Sequence, residues 1–282
     1  SMCMFHVEKM KADDFPFAVQ LANTMNWNMT VDDFRFMINL EPQGCFVQFH
    51  DNESVGIATT ISFEKAGWFG NFILKEDTRE KGAGTLLLKH SIDYLKSKGA
   101  ETIGLYAYPQ LVKFYRRFGF EPDADFSVLR RKAAFPAAQG TLRQAEKKDI
   151  PEIADLDCKC FGANRRKLLE QILLNTGNFC YLITENKAIT GCVFAKVYGE
   201  MAEVGPLICH ANHQEAAALL LKNVLNRLNG LDVFMYIPKK EKSLLVMLWE
   251  MGFEEDFRVV RMFMGPAIAK NCIYAAESLE RG

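Results

Sequence analysis

Residues 68–85 bring together the parts of an anion site. Trp68-Phe69-Gly70-Asn71-Phe72-Ile73-Leu74 has the apolar, aromatic-rich makeup of a buried strand. A polar stretch follows, then Arg79-Glu80-Lys81-Gly82-Ala83-Gly84, and a helix pattern opens at once at Thr85. A strand, a glycine-containing loop and a helix N-terminus turn several unsatisfied backbone N–H groups toward one anion. Gly82 and Gly84 let the backbone approach it without a Cβ in the way. Arg79 and Lys81 add positive charge, and the helix dipole favours an anion there by about 0.3–1 kcal/mol. The spacing is neither the Gly-Lys-Ser/Thr of a P-loop nor the G-x-G-x-x-G of a dinucleotide fold. Taken alone, R-x-x-G-x-G also suits a surface loop whose glycines supply turn dihedrals.

A second candidate lies downstream in Pro109-Gln110-Leu111-Val112-Lys113-Phe114-Tyr115-Arg116-Arg117-Phe118-Gly119-Phe120. Leu111, Phe114, Tyr115 and Phe118 fall at helical spacing, so Tyr115 fits a core aromatic of an amphipathic helix. From the residues alone, that core reading is the favoured one. The elements that must position these groups follow from periodicity. It predicts helices over 13–23 and 31–39, strands over 44–50, 54–62 and 68–74, and a helix over 85–98 stopped by Gly99. A strand over 102–107, a helix over 110–118 and a strand over 125–131 complete this half. The fold class is mixed α/β (α+β), with strands in the majority.

Bulk composition narrows the function classes. The chain has 282 residues, 49% hydrophobic and 24% charged, with a formal net charge of −1. That describes a folded protein of one large or two ordinary domains. Positive and negative residues are interspersed, so no basic stripe points to nucleic acid. No apolar run is long enough to span a bilayer, and the N-terminus lacks a basic segment followed by an apolar one, so neither membrane nor secretion is expected. Ser1 ahead of Met2 reads as a residue added for expression. Eight cysteines without Cys-x-x-Cys predict free thiols in a reducing, cytoplasmic setting. Cys158 and Cys160 could hint at a metal but suit small buried hydrophobes, so no metal is expected.

The chain also repeats itself. Leu86-Leu87-Leu88-Lys89 returns as Leu219-Leu220-Leu221-Lys222, and Gly119-Phe120-Glu121 as Gly252-Phe253-Glu254, both at an offset of 133. Val55-Gly56-Ile57-Ala58 returns near Thr190-Gly191-Cys192-Val193, Gly56 to Gly191 being an offset of 135. Matches in the same order at nearly one offset predict a duplicated fold. Ala133-Ala134-Phe135-Pro136-Ala137-Ala138-Gln139-Gly140 reads as a linker. Domains are therefore expected at 1–135 and 140–282, the second opening with a helix start at Asp149-Ile150-Pro151-Glu152.

The run of strand Phe69–Leu74, loop Arg79–Gly84, helix, strand Thr102–Ala107 and Tyr115–Phe120 resembles the GNAT (Gcn5-related N-acetyltransferase) superfamily. Asn26-Trp27-Asn28, Glu41-Pro42-Gln43-Gly44, Leu105-Tyr106-Ala107-Tyr108-Pro109, Val204-Gly205-Pro206-Leu207 and Arg261-Met262-Phe263-Met264-Gly265 are similar to a subgroup with two such domains in tandem. The resemblance implies acetyl-coenzyme A as cofactor. Its pantetheine arm would pair with the backbone of Phe72, Ile73 and Leu74, and its pyrophosphate would rest on the amides of Arg79, Glu80, Lys81, Gly82, Ala83, Gly84 and Thr85. It implies the Leu74 N–H as donor to the oxyanion, Tyr115 as general acid, and Trp27 and Asn28 at the acceptor site, where a helix–helix turn with a packed Trp is the plainer alternative. Two positions depart from the pattern. No carboxylate stands on the 68–74 strand to act as base, and Tyr108 replaces the Asn often found seven residues before the acid.

The second copy serves as a control. His210-Ala211-Asn212-His213-Gln214-Glu215 precedes its Leu219 helix, with no R-x-x-G-x-G, and Leu248 stands where Tyr115 stands in the first. A degenerate second domain and one active site per chain are expected, transferring acetyl groups to a small-molecule or peptide amine. An acyl-CoA sensor without turnover is the alternative. Neither the acceptor nor the oligomeric state is legible.

Overall fold

Thirteen strands and eight α-helices form among the described residues of the computed structural model, which covers 4–79, 82–132, 142–268 and 270–282. By internal contacts they fall into two units, Ser1–Leu105 with Arg281 and Tyr106–Glu280 with Gly282. The loop residues Glu80 and Lys81 and the linker at 133–140 lie outside the described residues.

The first unit opens with β1 (Phe5–Lys9), α1 (Phe15–Asn23) and α2 (Val31–Leu40). It continues with β2 (Cys45–His50), β3 (Glu53–Phe63), β4 (Ala66–Leu74), α3 (Ala83–Ser97) and the start of β5 (Thr102–Ala107). Its sheet order is β1-β2-β3-β4-β5, antiparallel except for the β4–β5 pair. Pro16 sits in the first turn of α1, where a missing N–H costs nothing, and Phe15, Ala18, Leu21 and Ala22 form its buried face. A capping box between Thr30 and Asp33 starts α2. Leu87, Leu88, Ile92 and Leu95 bury one stripe of α3. Strand β1 escapes sequence reading because it is only five residues long and none of them is fully buried.

Two boundaries shift for local reasons. Helix α3 begins at Ala83, ahead of the Thr85 predicted from sequence, because Gly82 takes the left-handed conformation (φ 82°) as its N-cap. The 110–118 segment divides into a 3₁₀ turn, Pro109–Leu111, and a short helix α4 (Val112–Arg116).

The second unit holds α4, β6 (Glu121–Lys132), β7 (Arg143–Gln144), α5 (Ile150–Phe161), α6 (Arg166–Leu174), β8 (Phe179–Glu185) and β9 (Ala188–Tyr198). After these come β10 (Met201–His210), α7 (Gln214–Asn226), β11 (Asp232–Pro238), α8 (Lys242–Glu250), β12 (Glu254–Met264) and β13 (Cys272–Ala275). Its strands run β12-β6-β11-β10-β9-β8-β7, with β13 beside β10. Leu220, Leu221 and Val224 of α7 enter the same core as Val193, Leu207, Val233 and Met235. The strand that closes the first sequence copy, β6, pairs along its length with β11 and β12. Inter-strand pairing, a non-local property, thus puts the division between units at Leu105/Tyr106, ahead of the sequence linker.

Two charged clusters are buried in this unit. Arg165 and Asp157, both fully buried, form a two-pronged ion pair (2.7 and 2.9 Å) under the Phe161 ring. Lys196 is held by Glu277 and, at 3.0 Å, by Glu203. The expectation that all cysteines are free thiols does not hold. Cys160 at the end of α5 is bonded to Cys272 at the start of β13, 112 residues away, a pairing that spacing along the chain could not reveal. No helix among the described residues is long and apolar enough to cross a membrane.

Trp68 is the tightest fit in the first unit. It is buried, and a Cβ at position 104 would lie 2.2 Å from its Cζ3 atom. Gly104→Ala should therefore cost about 1–3 kcal/mol by overpacking, read as a lower denaturant midpoint for the full chain.

Candidate active site

The site starts from how β4 ends. Its parallel register with β5 covers only Ala66↔Thr102, Gly67↔Ile103 and Trp68↔Gly104. No strand among the described residues continues that ladder past Trp68. On the other side, β4 stays paired with β3 but gains a bulge. Thr59 faces Gly70 and Ile57 faces Ile73, so Asn71 and Phe72 together oppose Ala58. Asn71 makes the bulge in the left-handed region (φ 48°), which Asn tolerates better than most residues. It is buried, accepts a hydrogen bond from Thr59 Oγ1 (2.8 Å), and donates from Nδ2 to Met29 Sδ (3.4 Å).

Beyond the bulge, Phe72 is half-buried, Ile73 and Leu74 are buried, and the Lys75 N–H donates to the Val55 carbonyl (2.7 Å). A 3₁₀ turn, Glu76–Thr78, leads toward Gly82 and the N-terminus of α3. A Cβ on Gly82 would meet nothing within 4 Å, so its left-handed backbone, not crowding, calls for glycine. The amides of Ala83, Gly84 and Thr85 lie in the first turn of a 15-residue helix, where N–H groups lack intrahelical acceptors. Parted strand, bulge and helix N-terminus thus occur together, and they fit a pantetheine pyrophosphate. Arg79 is exposed and folds back onto the strand: its Nε donates to the Leu74 carbonyl (3.2 Å), and its Nη2 lies 4.0 Å from Met25 Sδ. Lys75 pairs with Glu53 (2.9 Å), holding that carboxyl below its ordinary pKa.

Trp27 and Asn28 lie in the α1–α2 connection, Trp27 half-buried and Asn28 exposed. Asn26 (φ 59°) and Asn28 (φ 52°) both take left-handed backbone. The neighbours Met25 and Met29, which the sequence does not single out, make the contacts to Arg79 and Asn71. Asn71 itself has a sequence signal: a Gly-Asn pair inside an otherwise apolar strand marks a bulge.

Tyr115 lies beyond the Leu105 boundary and is described within its own unit. It is 5% exposed, with its ring 5.2 Å from Phe114 and 6.0 Å from Phe120, both edge-on. Burial pushes its phenol up from the ordinary value, and Tyr108 nearby pushes the same way. The Phe118 and Phe120 amides donate to its carbonyl (3.0 and 3.3 Å), turning the chain through Gly119 (φ 97°).

The second unit repeats the strand geometry with another outcome. Ala195 faces Val204 and Val193 faces Leu207, so Gly205 and Pro206 form a bulge 134 residues after that of β4 (204 − 70 and 207 − 73). The parallel register with β11 stops at Val204↔Met235. There β13 takes up the ladder: Leu207 pairs with Ala275, Ile208 with Tyr274, Cys209 with Ile273 and His210 with Cys272. Ile208 is the counterpart of Leu74, so β13 lies where an extended ligand would pair. Leu248, fully buried, takes the place of Tyr115, its carbonyl accepting from the Phe253 amide (2.9 Å). His210 and His213 lie 5.7 Å apart by ring centroids, and no group of three metal-ligating side chains occurs among the described residues.

The comparisons agree with this geometry. Residues 10–120 match the model of the Acetyltransferase (GNAT) family, and residues 153–275 match that of the Acetyltransferase (GNAT) domain. Holothin acyltransferase of Pseudoalteromonas sp. (strain SANK 73390) is 24% identical over 262 residues, covering 91% of this chain and 87% of that protein. A crystal structure of a candidate acetyltransferase of Pyrococcus horikoshii superposes with a TM-score of 0.82 at 22% identity, covering 99% of this chain and 96% of the other. A tandem GNAT protein from the clavulanic acid biosynthesis pathway gives a TM-score of 0.64 at 14% identity, covering 93% and 99%. At such identities the solved structures speak for the fold alone. The two family matches, the repeated bulge and the parted strands identify the chain as a member of the GNAT acyltransferase superfamily with two GNAT domains in tandem.

Proposed function

We propose that the chain is an acetyl-CoA-dependent N-acetyltransferase with one active site, in the N-terminal copy. The observation that carries this reading is the contrast between the two bulged strands. In β4 the ladder with β5 stops at Trp68, whereas in β10 the corresponding stretch is paired with β13.

Acetyl-CoA supplies the acetyl group as a thioester. Phe72, Ile73 and Leu74 present a strand backbone to its pantetheine arm. The amides from Arg79 through Thr85 receive its pyrophosphate, with Glu80 and Lys81 included on sequence grounds alone. The Leu74 N–H is the donor for the oxyanion of acyl transfer, a contribution typically worth about 2.7–4 kcal/mol. The acceptor must first lose a proton; a lysine-like amine of pKa about 10.4 gives up roughly 4–5 kcal/mol for this at pH 7. Strand β4 carries no carboxylate, and Asp33 Oδ2 accepts from the Thr30 N–H in the α2 cap (2.8 Å), so no residue is assigned as base and a water relay is as good a route for that proton as Glu64 or Asp33. Tyr115 returns a proton to the leaving thiolate. Its burial suits the role, because a phenol pushed up in pKa stays protonated throughout the working pH range.

The alternative, an acyl-CoA sensor without turnover, leaves the buried Tyr115 without a task beyond packing. Thiol release from acetyl-CoA in the presence of an amine separates the two readings. Tyr115→Phe should lower kcat about a hundredfold while coenzyme A affinity stays near wild type in calorimetry. The rate of the native chain should rise with pH as the amine deprotonates and show no downturn near pH 10, where an ordinary phenol would ionise. Titration of the full chain with coenzyme A should saturate at one equivalent; two equivalents would contradict a single site.

A further inference from the structure

We infer that the acceptor is an apolar or aromatic monoamine seated against Met25, Trp27 and Met29, an assignment that rests on the acetyltransferase reading above. These three residues lie on the connection between α1 and α2 and are half-buried, while Asn26 and Asn28 between them are exposed. The alternation has a backbone cause. Both asparagines adopt left-handed backbone, and the Met29 N–H is held by Asn23 Oδ1 (3.0 Å), which fixes the exit of the loop. The apolar side chains are thereby turned toward the protein.

Two of them, Met25 and Met29, contact residues of the proposed cofactor site in the first unit. Met29 Sδ receives the Asn71 amide (3.4 Å), so it touches the residue that makes the β4 bulge. Met25 Sδ lies 4.0 Å from the Arg79 guanidinium, which also binds the Leu74 carbonyl. The loop is thus fastened at both ends of the stretch Asn71–Leu74, whose backbone carries the thioester in the proposed reaction. An amine that reaches this thioester from the loop side passes thioethers and an indole. Thioethers are polarisable and adapt to flat apolar surfaces, and they favour aromatic rings.

Charge points the same way. The carboxylates nearest in sequence are occupied: Asp32 pairs with Arg35 (2.7 Å), and Asp33 accepts from the Thr30 N–H (2.8 Å). The charge that does touch the loop is cationic, at Arg79. A second ammonium on the acceptor would be repelled by that guanidinium, which disfavours polyamines and strongly basic peptides.

The test uses the full-length chain, acetyl-CoA, and thiol release as readout, with phenethylamine, tryptamine, spermidine and glycinamide as acceptors. The expected result is a kcat/KM for the aromatic monoamines about tenfold or more above that for spermidine and glycinamide. Trp27→Ala and, separately, Met29→Gln should raise KM for the aromatic amine about tenfold, with coenzyme A affinity by calorimetry unchanged. Preference for spermidine or glycinamide, or an aromatic-amine KM indifferent to both substitutions, would overturn the assignment while leaving the transferase reading intact. Coenzyme A binding without thiol release on any amine would instead overturn the transferase reading, and the assignment with it.

Discussion

The parting of β4 from β5 is the constraint on which the first unit's chemistry depends. A paired sheet has no place for an extended ligand, because each backbone N–H and C=O is already taken. A close contact lies where the pairing ends. The Trp68 ring lies over Gly104, the last residue of β5 paired with β4, in space that any Cβ would fill. Three residues after Trp68 the Asn71 bulge adds a residue to β4 against β3, bending the strand and resetting the direction of Phe72. Contact and bulge lie on opposite edges of one strand, and the turn beyond it leads into the N-terminus of α3. The anion site and the strand site are therefore set by one continuous stretch of about twenty residues.

Much of this was legible in the sequence because it is local. The strand at Trp68–Leu74, the Gly82 turn and the apolar stripe of α3 each declare themselves within one window of residues. What escaped is non-local or weakly patterned. The two strands β1 and β13 are too short, at five and four residues, to stand out, the Cys160–Cys272 bridge joins residues far apart in the chain, and the pairing of β6 with both β11 and β12 depends on partners that spacing does not name. The thioether contacts of Met25 and Met29 were hidden for another reason: methionine in a loop ordinarily signals packing and nothing more. Tyr115 was read both ways, as a core ring and as a proton donor. Its geometry supports the first directly, and the second is compatible because burial raises its pKa.

The second unit clarifies why duplication need not duplicate a site. Its bulge and its parted strands are retained, so the backbone still forms a slot beside Leu207–His210. The chain fills that slot with β13 and fastens the segment around it by the Cys160–Cys272 bond and the buried Lys196–Glu277 pair. Removing Lys196 would take the ion pair from the buried Glu277 carboxylate, at a typical cost of about 3–5 kcal/mol. A free ligand would have to displace a covalently tethered strand, and it would find Glu215 in the first turn of α7 in place of the Gly82 loop. Loss of the loop and filling of the slot reinforce each other, since either alone would leave a partial site.

Asn71 shows how one residue can bind strand geometry to loop position. Glycine could adopt the same left-handed backbone at less steric cost, but it could neither accept from Thr59 nor donate to Met29. The amide thus locks the bulge to β3 on one side and to the α1–α2 connection on the other. If the bulge relaxed, Phe72, Ile73 and Leu74 would shift register against β3, and the same motion would release Met29. In the proposed reaction, thioester placement and acceptor-loop placement are then coupled through a single buried side chain. Aspartate at this position separates the two, because it keeps an acceptor for Thr59 and lacks the N–H that Met29 receives.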